Sequence, residues 1–155
     1  MVEDRTCLLS APKVRVTAVL IEKGHILLIE QRVTGSRNWS LPGGALEAGE
    51  TIGQCLCREV REETGLEVAP ERLLYICDRI EESQIVHITF LVKRVGGRLT
   101  LGAEPEPTAQ PIHDVQMVLL ERLMAYGFSS RFVELARAGF PEAGSYQGLV
   151  ESIGL

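Results

Sequence analysis

A chain of 155 residues, 45% hydrophobic and 24% charged, has the makeup of one folded domain and not of a disordered tail or a collagen-like repeat. Sixteen basic against twenty-one acidic side chains leave a net charge of −5. That balance argues against a nucleic acid polymer as partner, because such affinity comes mainly from Lys and Arg neutralising phosphates. No apolar run approaches the roughly 20 residues of a membrane helix, so no membrane partner is expected. The segment Met1 to Ala11 carries Glu3, Asp4 and Arg5 and no apolar stretch of signal-peptide length, which makes a cytoplasmic location the expectation. Cys7, Cys55, Cys57 and Cys77 form neither a dense framework nor a CxxC pair, and they read as reduced packing residues.

Lys13 to Ile21 alternates and then becomes continuously apolar, as in a strand entering a buried sheet. Glu22-Lys23-Gly24 reads as a turn and His25 to Gln31 as the second arm of a hairpin. Val33 to Asn38 reads as a loop, Trp39 to Leu41 as a small strand at most, and Pro42-Gly43-Gly44 as a break in regular structure. Thr51 to Thr64 predicts the best helix: Thr51 suits an N-cap, Gly65 a C-terminal glycine, and Ile52, Leu56 and Val60 make one apolar stripe. Leu73 to Ile80 and Ile85 to Val95 predict two strands with a turn between them. Gly96-Gly97 predicts a further turn, and Arg98 to Leu101 a short edge strand. Ala103 to Pro111 holds three prolines and predicts a loop. Ile112 to Leu119 predicts a strand, Leu120 to Tyr126 and Ser129 to Ala138 two short helices, and the Gly-rich remainder to Leu155 a weakly patterned tail. Strands do not alternate regularly with helices, so the order excludes a doubly wound sheet and suits a mixed sheet with helices on its faces. There is no internal repeat and no linker, so a single domain over 1–155 is expected.

Chemistry concentrates on the predicted central helix. Glu59, Glu62 and Glu63 stand at i, i+3 and i+4 and project from one side. Like charges at that spacing repel. A hard cation such as Mg²⁺ or Mn²⁺, which prefers oxygen ligands and keeps waters or substrate phosphates, is their natural counterpart. A solvated acidic face with intrahelical ion pairs through Arg58 and Arg61 is the plainer alternative.

The wider segment bears on that choice. Gly44 to Leu66 reads GALEAGETIGQCLCREVREETGL and resembles the signature of the Nudix hydrolases, the MutT-like pyrophosphohydrolases: G-x5-E-x7-R-E-U-x-E-E-x-G-U, with U a bulky aliphatic. Gly44, Glu50, Arg58, Glu59, Val60, Glu62, Glu63, Gly65 and Leu66 fill every fixed position. At ordinary residue frequencies such a match arises on the order of once in 10⁹ starting positions. The resemblance implies an α/β/α sandwich built on a mixed β-sheet, of the α/β (α+β) class, and a Mg²⁺- or Mn²⁺-dependent hydrolase of the diphosphate linkage in a nucleoside diphosphate joined to another moiety X. The partner it implies is a small nucleotide, and a homodimer is compatible with it. Carried over by residue, Glu59, Glu62 and Glu63 look like metal ligands, with the Gly43 carbonyl beside them. Arg58 would position Glu59, Glu50 would support the loop, and Gly44 and Gly65 would permit the flanking turns.

The general base would be Glu59, or a loop acid such as Glu104 or Glu106, with His113 and Asp114 weaker candidates. Arg32 and Arg37 are candidates for substrate phosphates. Trp39 would either pack under the Pro42-Gly43-Gly44 turn or contact a base. His87 reads as a satisfied sheet histidine, and Tyr75 and Phe90 as core. Sequence marks of NADH, coenzyme A or dinucleoside polyphosphate specificity are not recognised, and Pro70 stands nearer the motif than the proline associated with ADP-ribose hydrolysis. A non-catalytic nucleotide-binding or sensor domain is the alternative; such relatives commonly lack one of the glutamates, whereas all are present here.

Overall fold

The structure, a computed structural model, describes residues 11–31, 37–80, 83–102 and 111–155. Strand β1 (Lys13–Glu22) lies at its centre. It turns at Lys23-Gly24 into β2 (His25–Glu30), and both turn residues have positive φ, 49° and 75°, as a two-residue hairpin turn matching the strand twist requires. The hairpin pairing is brief, Ile21 with Ile26 and Glu22 with His25. Beyond it β2 takes β3 (Trp39–Ser40) and β7 (Asp114–Leu119) as antiparallel partners. β1 meanwhile pairs in parallel with β6 (Gln84–Gly97), from Lys13 opposite Ile85 to Leu20 opposite Val92. β6 is antiparallel to β5 (Leu66–Ile80), and β5 takes β8 (Ser145–Leu149) in parallel. The result is one mixed eight-stranded sheet.

Alternation along β1 separates two cores. Val16, Ala18 and Leu20 face helix α1 (Ile52–Thr64), meeting Cys55, Leu56 and Val60, while Val19 faces the other way. On that second face Phe132, Val133, Leu135 and Ala136 of α2 (Ser130–Arg137) pack with Leu123, Phe128 and Phe140. Helical layers thus cover both faces, as the resemblance implies. Among the described residues no helix is long and apolar enough to cross a membrane.

Helix α1 starts and stops where its sequence indicates. The Thr51 hydroxyl accepts from the Gln54 N–H at 3.2 Å and the Gln54 side chain accepts from the Thr51 N–H at 2.8 Å, a reciprocal cap. Gly65 ends the helix in the left-handed conformation, φ 74°. Thr51→Ala removes one side of this cap and is expected to cost about 1 kcal/mol, a fall in Tm of roughly 2–4 °C by calorimetry. A Tm unchanged within error would mean that the cap contributes nothing.

Several expectations are corrected. Gly43–Ala45 does not break the sheet but forms β4, antiparallel to β1, with Thr17 opposite Gly43. β5 begins at Leu66 and not at Leu73, because register shifts around Glu67/Val68, Pro70/Arg72 and Leu73/Tyr75 let the strand carry Pro70 and three charged residues. Gly96-Gly97 closes β6. Arg98 to Leu101 is no strand; it caps the end of α1, with the Thr100 N–H on the Thr64 carbonyl (2.9 Å) and the Gly102 N–H on the Glu63 carbonyl (3.3 Å). Leu120–Tyr126 is a 3₁₀ turn. The tail adds β8 and a second 3₁₀ turn, Val150–Ile153, whose Val150 and Ile153 are buried.

Candidate active site

The carboxylates gather where the start of β4 abuts one side of α1. Arg58, at the middle of the helix, is the hub. Its Nε and Nη2 donate to the two Glu50 oxygens at 2.6 and 3.0 Å, a bidentate fork. Its Nη1 donates to Glu59 Oε1 at 2.8 Å and to Glu62 Oε2 at 3.3 Å, and Nη2 also reaches the Ala45 carbonyl at 3.3 Å. These bonds hold Glu50 well below the usual carboxylate range, down to about 2, and raise Arg58 further, chiefly through the Glu50 bond. Glu59 moves the other way. Burial pushes its carboxyl up, the Arg58 bond and charge oppose that, and the Glu62 charge adds to it.

Glu63 is buried, and its Oε2 accepts the Gly43 N–H at 3.1 Å. The Gly43 carbonyl in turn accepts from Arg15 Nη2 at 3.1 Å. The glycines are required by this packing. A Cβ on Gly43 would lie 2.1 Å from the Val16 carbonyl oxygen, and one on Gly44 would lie 2.2 Å from the Glu59 carboxyl. A Cβ on Gly65 would lie 2.5 Å from the Arg98 carbonyl oxygen, and the following Leu66 is fully buried beneath α1. Cys55 sits under the loop, its thiol donating toward the Ala45 carbonyl at 3.5 Å, and burial pushes it up to about 11, so it is no nucleophile at neutral pH.

The donor set here is all oxygen: three carboxylates and one backbone carbonyl. That chemistry suits a hard divalent cation. The glutamates are not gathered as a ready ligand cage, and among the described residues no three acidic, His or Cys side chains are so arranged. Glu59 and Glu62 instead share one Arg58 nitrogen, and Glu63 holds Gly43. A cation would compete with Arg58 and the Gly43 N–H for these carboxylates.

Of the substrate candidates, Arg37 lies with its guanidinium carbon 4.6 Å from the centre of the Phe128 ring, and burial, then the charge of Arg79, lowers it. Trp39 meets Tyr126 edge-on at 5.1 Å and packs against the core, so neither expected role describes it fully. Tyr75 is core, its hydroxyl donating to the Pro141 carbonyl at 2.9 Å, and Phe90 packs on the α1 side. Asp114 accepts from the Gln116 side chain at 2.7 Å, and His113 is exposed. Arg32, Glu104 and Glu106 lie outside the described residues.

The reading of His87 as a satisfied histidine is corrected: its Nε2 is buried without a hydrogen-bond partner among the described residues. Burial pushes it down to about 4, and the charges of Arg15 and Arg79 add to that. The unfolded chain, with a histidine near 6.5, binds this proton first. Stability is therefore undiminished above about pH 6.5 and falls on acidification toward pH 4, by at most about 3 kcal/mol from this residue. Denaturant titrations at pH 7 and pH 5 are expected to show this loss in the native chain and a smaller one in His87→Gln; equal losses would remove His87 as its source. Arg15 and Arg79 went unnoticed in the sequence, where the available signal was a basic residue at an inward position of an otherwise apolar strand.

Residues 11–136 match the family model described as NUDIX domain. The human "8-oxo-dGDP phosphatase NUDT18" is 40% identical over 88 residues, covering 56% of this chain and 27% of that protein. An "ADP-ribose pyrophosphatase" of Methanocaldococcus jannaschii is 34% identical over 95 residues, covering 59% of this chain and 56% of its own length. The chain thus spans about a quarter and about half of these relatives. A solved NUDIX hydrolase from Nitrosomonas europaea superposes with a TM-score of 0.69 at 25% identity, covering 86% of this chain and 93% of that one. With the family model matched over most of its length and the fold shared with a solved member, the chain belongs to the Nudix hydrolase family.

Proposed function

We propose that this chain hydrolyses the diphosphate linkage of a nucleoside diphosphate joined to another moiety X, with Mg²⁺ or Mn²⁺ as cofactor. The observation that carries the reading is the Arg58 hub, which ties Glu50, Glu59 and Glu62 into one array beside the Glu63–Gly43 bond. A solvated acidic face has no need of a buried carboxylate bonded to a backbone amide twenty residues away.

Glu59, Glu62, Glu63 and the Gly43 carbonyl would hold the cation. When bound, it neutralises the diphosphate, positions it and acidifies water. The chain's own groups do the rest. Arg58 fixes the Glu59 carboxylate at 2.8 Å. Burial makes that carboxylate a better proton acceptor than an exposed glutamate. Glu59 takes a proton from the water that attacks phosphorus in line; one P–O bond forms, the bridging P–O bond breaks, and a phosphate or phosphomonoester leaves. Glu104 or Glu106, which lie outside the described residues, is the alternative base.

A phosphate-release screen tests this. The protein with Mg²⁺ or Mn²⁺ is offered (deoxy)nucleoside triphosphates, oxidised nucleotides, ADP-ribose, sugar nucleotides and dinucleoside polyphosphates, each coupled to a phosphatase or pyrophosphatase, with Glu63→Gln as the blank. Cation-dependent cleavage that is lost in the blank supports the reading. Binding without cleavage across the panel favours a sensor domain instead.

A further inference from the structure

The face of the sheet opposite α1 changes character along its length. Around Val19 it is apolar core. One pleat toward the start of β1 it carries Thr17 beside Thr89, both buried. One pleat further it carries Arg15 beside His87, with Cys77 of β5 on the other side of His87. Arg79 follows Cys77 by two residues on β5, which puts it on the same face. The charge of Arg79 acts on both His87 and Arg37, and that of Arg15 acts on His87 and, on its other side, on Glu59.

Three guanidiniums and an imidazole therefore share one patch that begins at the glutamate array. Arg15 is the joint, since it donates to the Gly43 carbonyl. Arginine forks on a half-buried floor bind an anion with well-defined geometry. The orphaned His87 Nε2 points the same way: buried polar atoms as a rule have partners, and this one has none among the described residues. A histidine held neutral still donates one N–H to an oxygen anion.

We propose that Arg15, His87, Arg79 and Arg37 form a subsite for a second anionic group, a phosphate or carboxylate carried by X, so that the preferred substrates are diphosphates whose X is itself negatively charged. This deepens the hydrolase reading and rests on it for catalysis, though not for binding. The natural probes are matched pairs: ADP-ribose against its 1″-phosphate on the terminal ribose, and UDP-glucose against UDP-glucuronate. Each pair differs by one anion, and together they separate phosphate from carboxylate.

Two readouts are needed. In steady-state assays with Mg²⁺, the anionic member of at least one pair is expected to show a kcat/KM at least tenfold higher, mostly through KM, and Arg79→Gln and His87→Gln are each expected to bring that ratio toward one. In calorimetric titrations of the Glu63→Gln protein, the anionic member is expected to bind more tightly by a similar factor, with the preference lost when Arg79→Gln is added. Circular dichroism checks that each variant is folded, and Arg79→Gln serves alone if His87→Gln is not. Equal kcat/KM and equal affinity within both pairs would overturn the subsite, as would a preference that survives both substitutions. Binding preference without any cleavage by the native protein would overturn the hydrolase reading and leave the subsite standing.

Discussion

Glu62→Gln and Glu63→Gln are each expected to lower turnover by roughly 100-fold or more while the chain stays folded. The two carboxylates are lost at different structural costs. Glu62 is a third exposed and touches Arg58 at 3.3 Å, an ion pair of the kind that contributes about 1 kcal/mol at most. Glu63 is buried and accepts the Gly43 N–H, a bond that the carbonyl oxygen of a glutamine accepts equally well. Both variants should therefore melt within a few degrees of the native protein. What each loses is the negative charge, and with it a ligand for a hard cation. The check is kcat on the best substrate of the screen, together with the Tm with and without Mg²⁺. Native activity in both variants would sink the assignment of the glutamates. Retained activity in one alone would remove that residue from the ligand set.

Gly43→Ala is expected to damage both stability and activity, because what it strikes is backbone. The added Cβ would stand 2.1 Å from the Val16 carbonyl oxygen and 2.8 Å from the Thr17 Cα. Neither atom can move without moving β1, the central strand. Displacing β4 also breaks the Gly43 N–H bond to Glu63 and the Arg15 bond to the Gly43 carbonyl. A loss of about 3 kcal/mol or more is expected, a fall in Tm of roughly 6–12 °C for a chain of this size, with activity reduced even where the variant is folded. Gly49→Ala is the control: its φ is 80°, yet a Cβ there meets nothing within 4 Å. It should cost only about 1 kcal/mol. Similar losses at both positions would mean that backbone conformation, and not the close approach to β1, sets the requirement at Gly43.

Local signals were the legible ones. The capping pair at Thr51, the glycine at 65, the stripe Ile52/Leu56/Val60 and the first strands were readable because each depends on neighbours within a few residues. The motif located the glutamates and Arg58, and the i, i+3, i+4 spacing placed them on one side of the helix. What escaped was set by distant partners. Gly43–Ala45 looked like a break because nothing in Pro-Gly-Gly announces a strand; it becomes one only because β1 lies alongside. Leu66 to Arg72 was hidden by Pro70 and three charges, which bulges accommodate. Arg98 to Leu101 shows alternation but serves as a cap for α1. His87 alone in its strand looked ordinary, and its character comes from Arg15 and Arg79 on two other strands.

The parallel pairing of β1 with β6 also bears on how the protein acquires its activity as it is made. Lys13 finds its partner in Ile85, so the pairing closes a long loop and its entropic cost is met before any contact returns it. The β5–β6 hairpin needs no such closure and can form first. The whole glutamate motif leaves the ribosome before β6 does. Until β6 has emerged, β1 lacks its neighbour, β4 has no settled edge to join, and Gly43 is not held against Glu63. A nascent chain that already carries every motif residue is therefore expected to be inert, and competence should arrive late, with the last strand that secures the first.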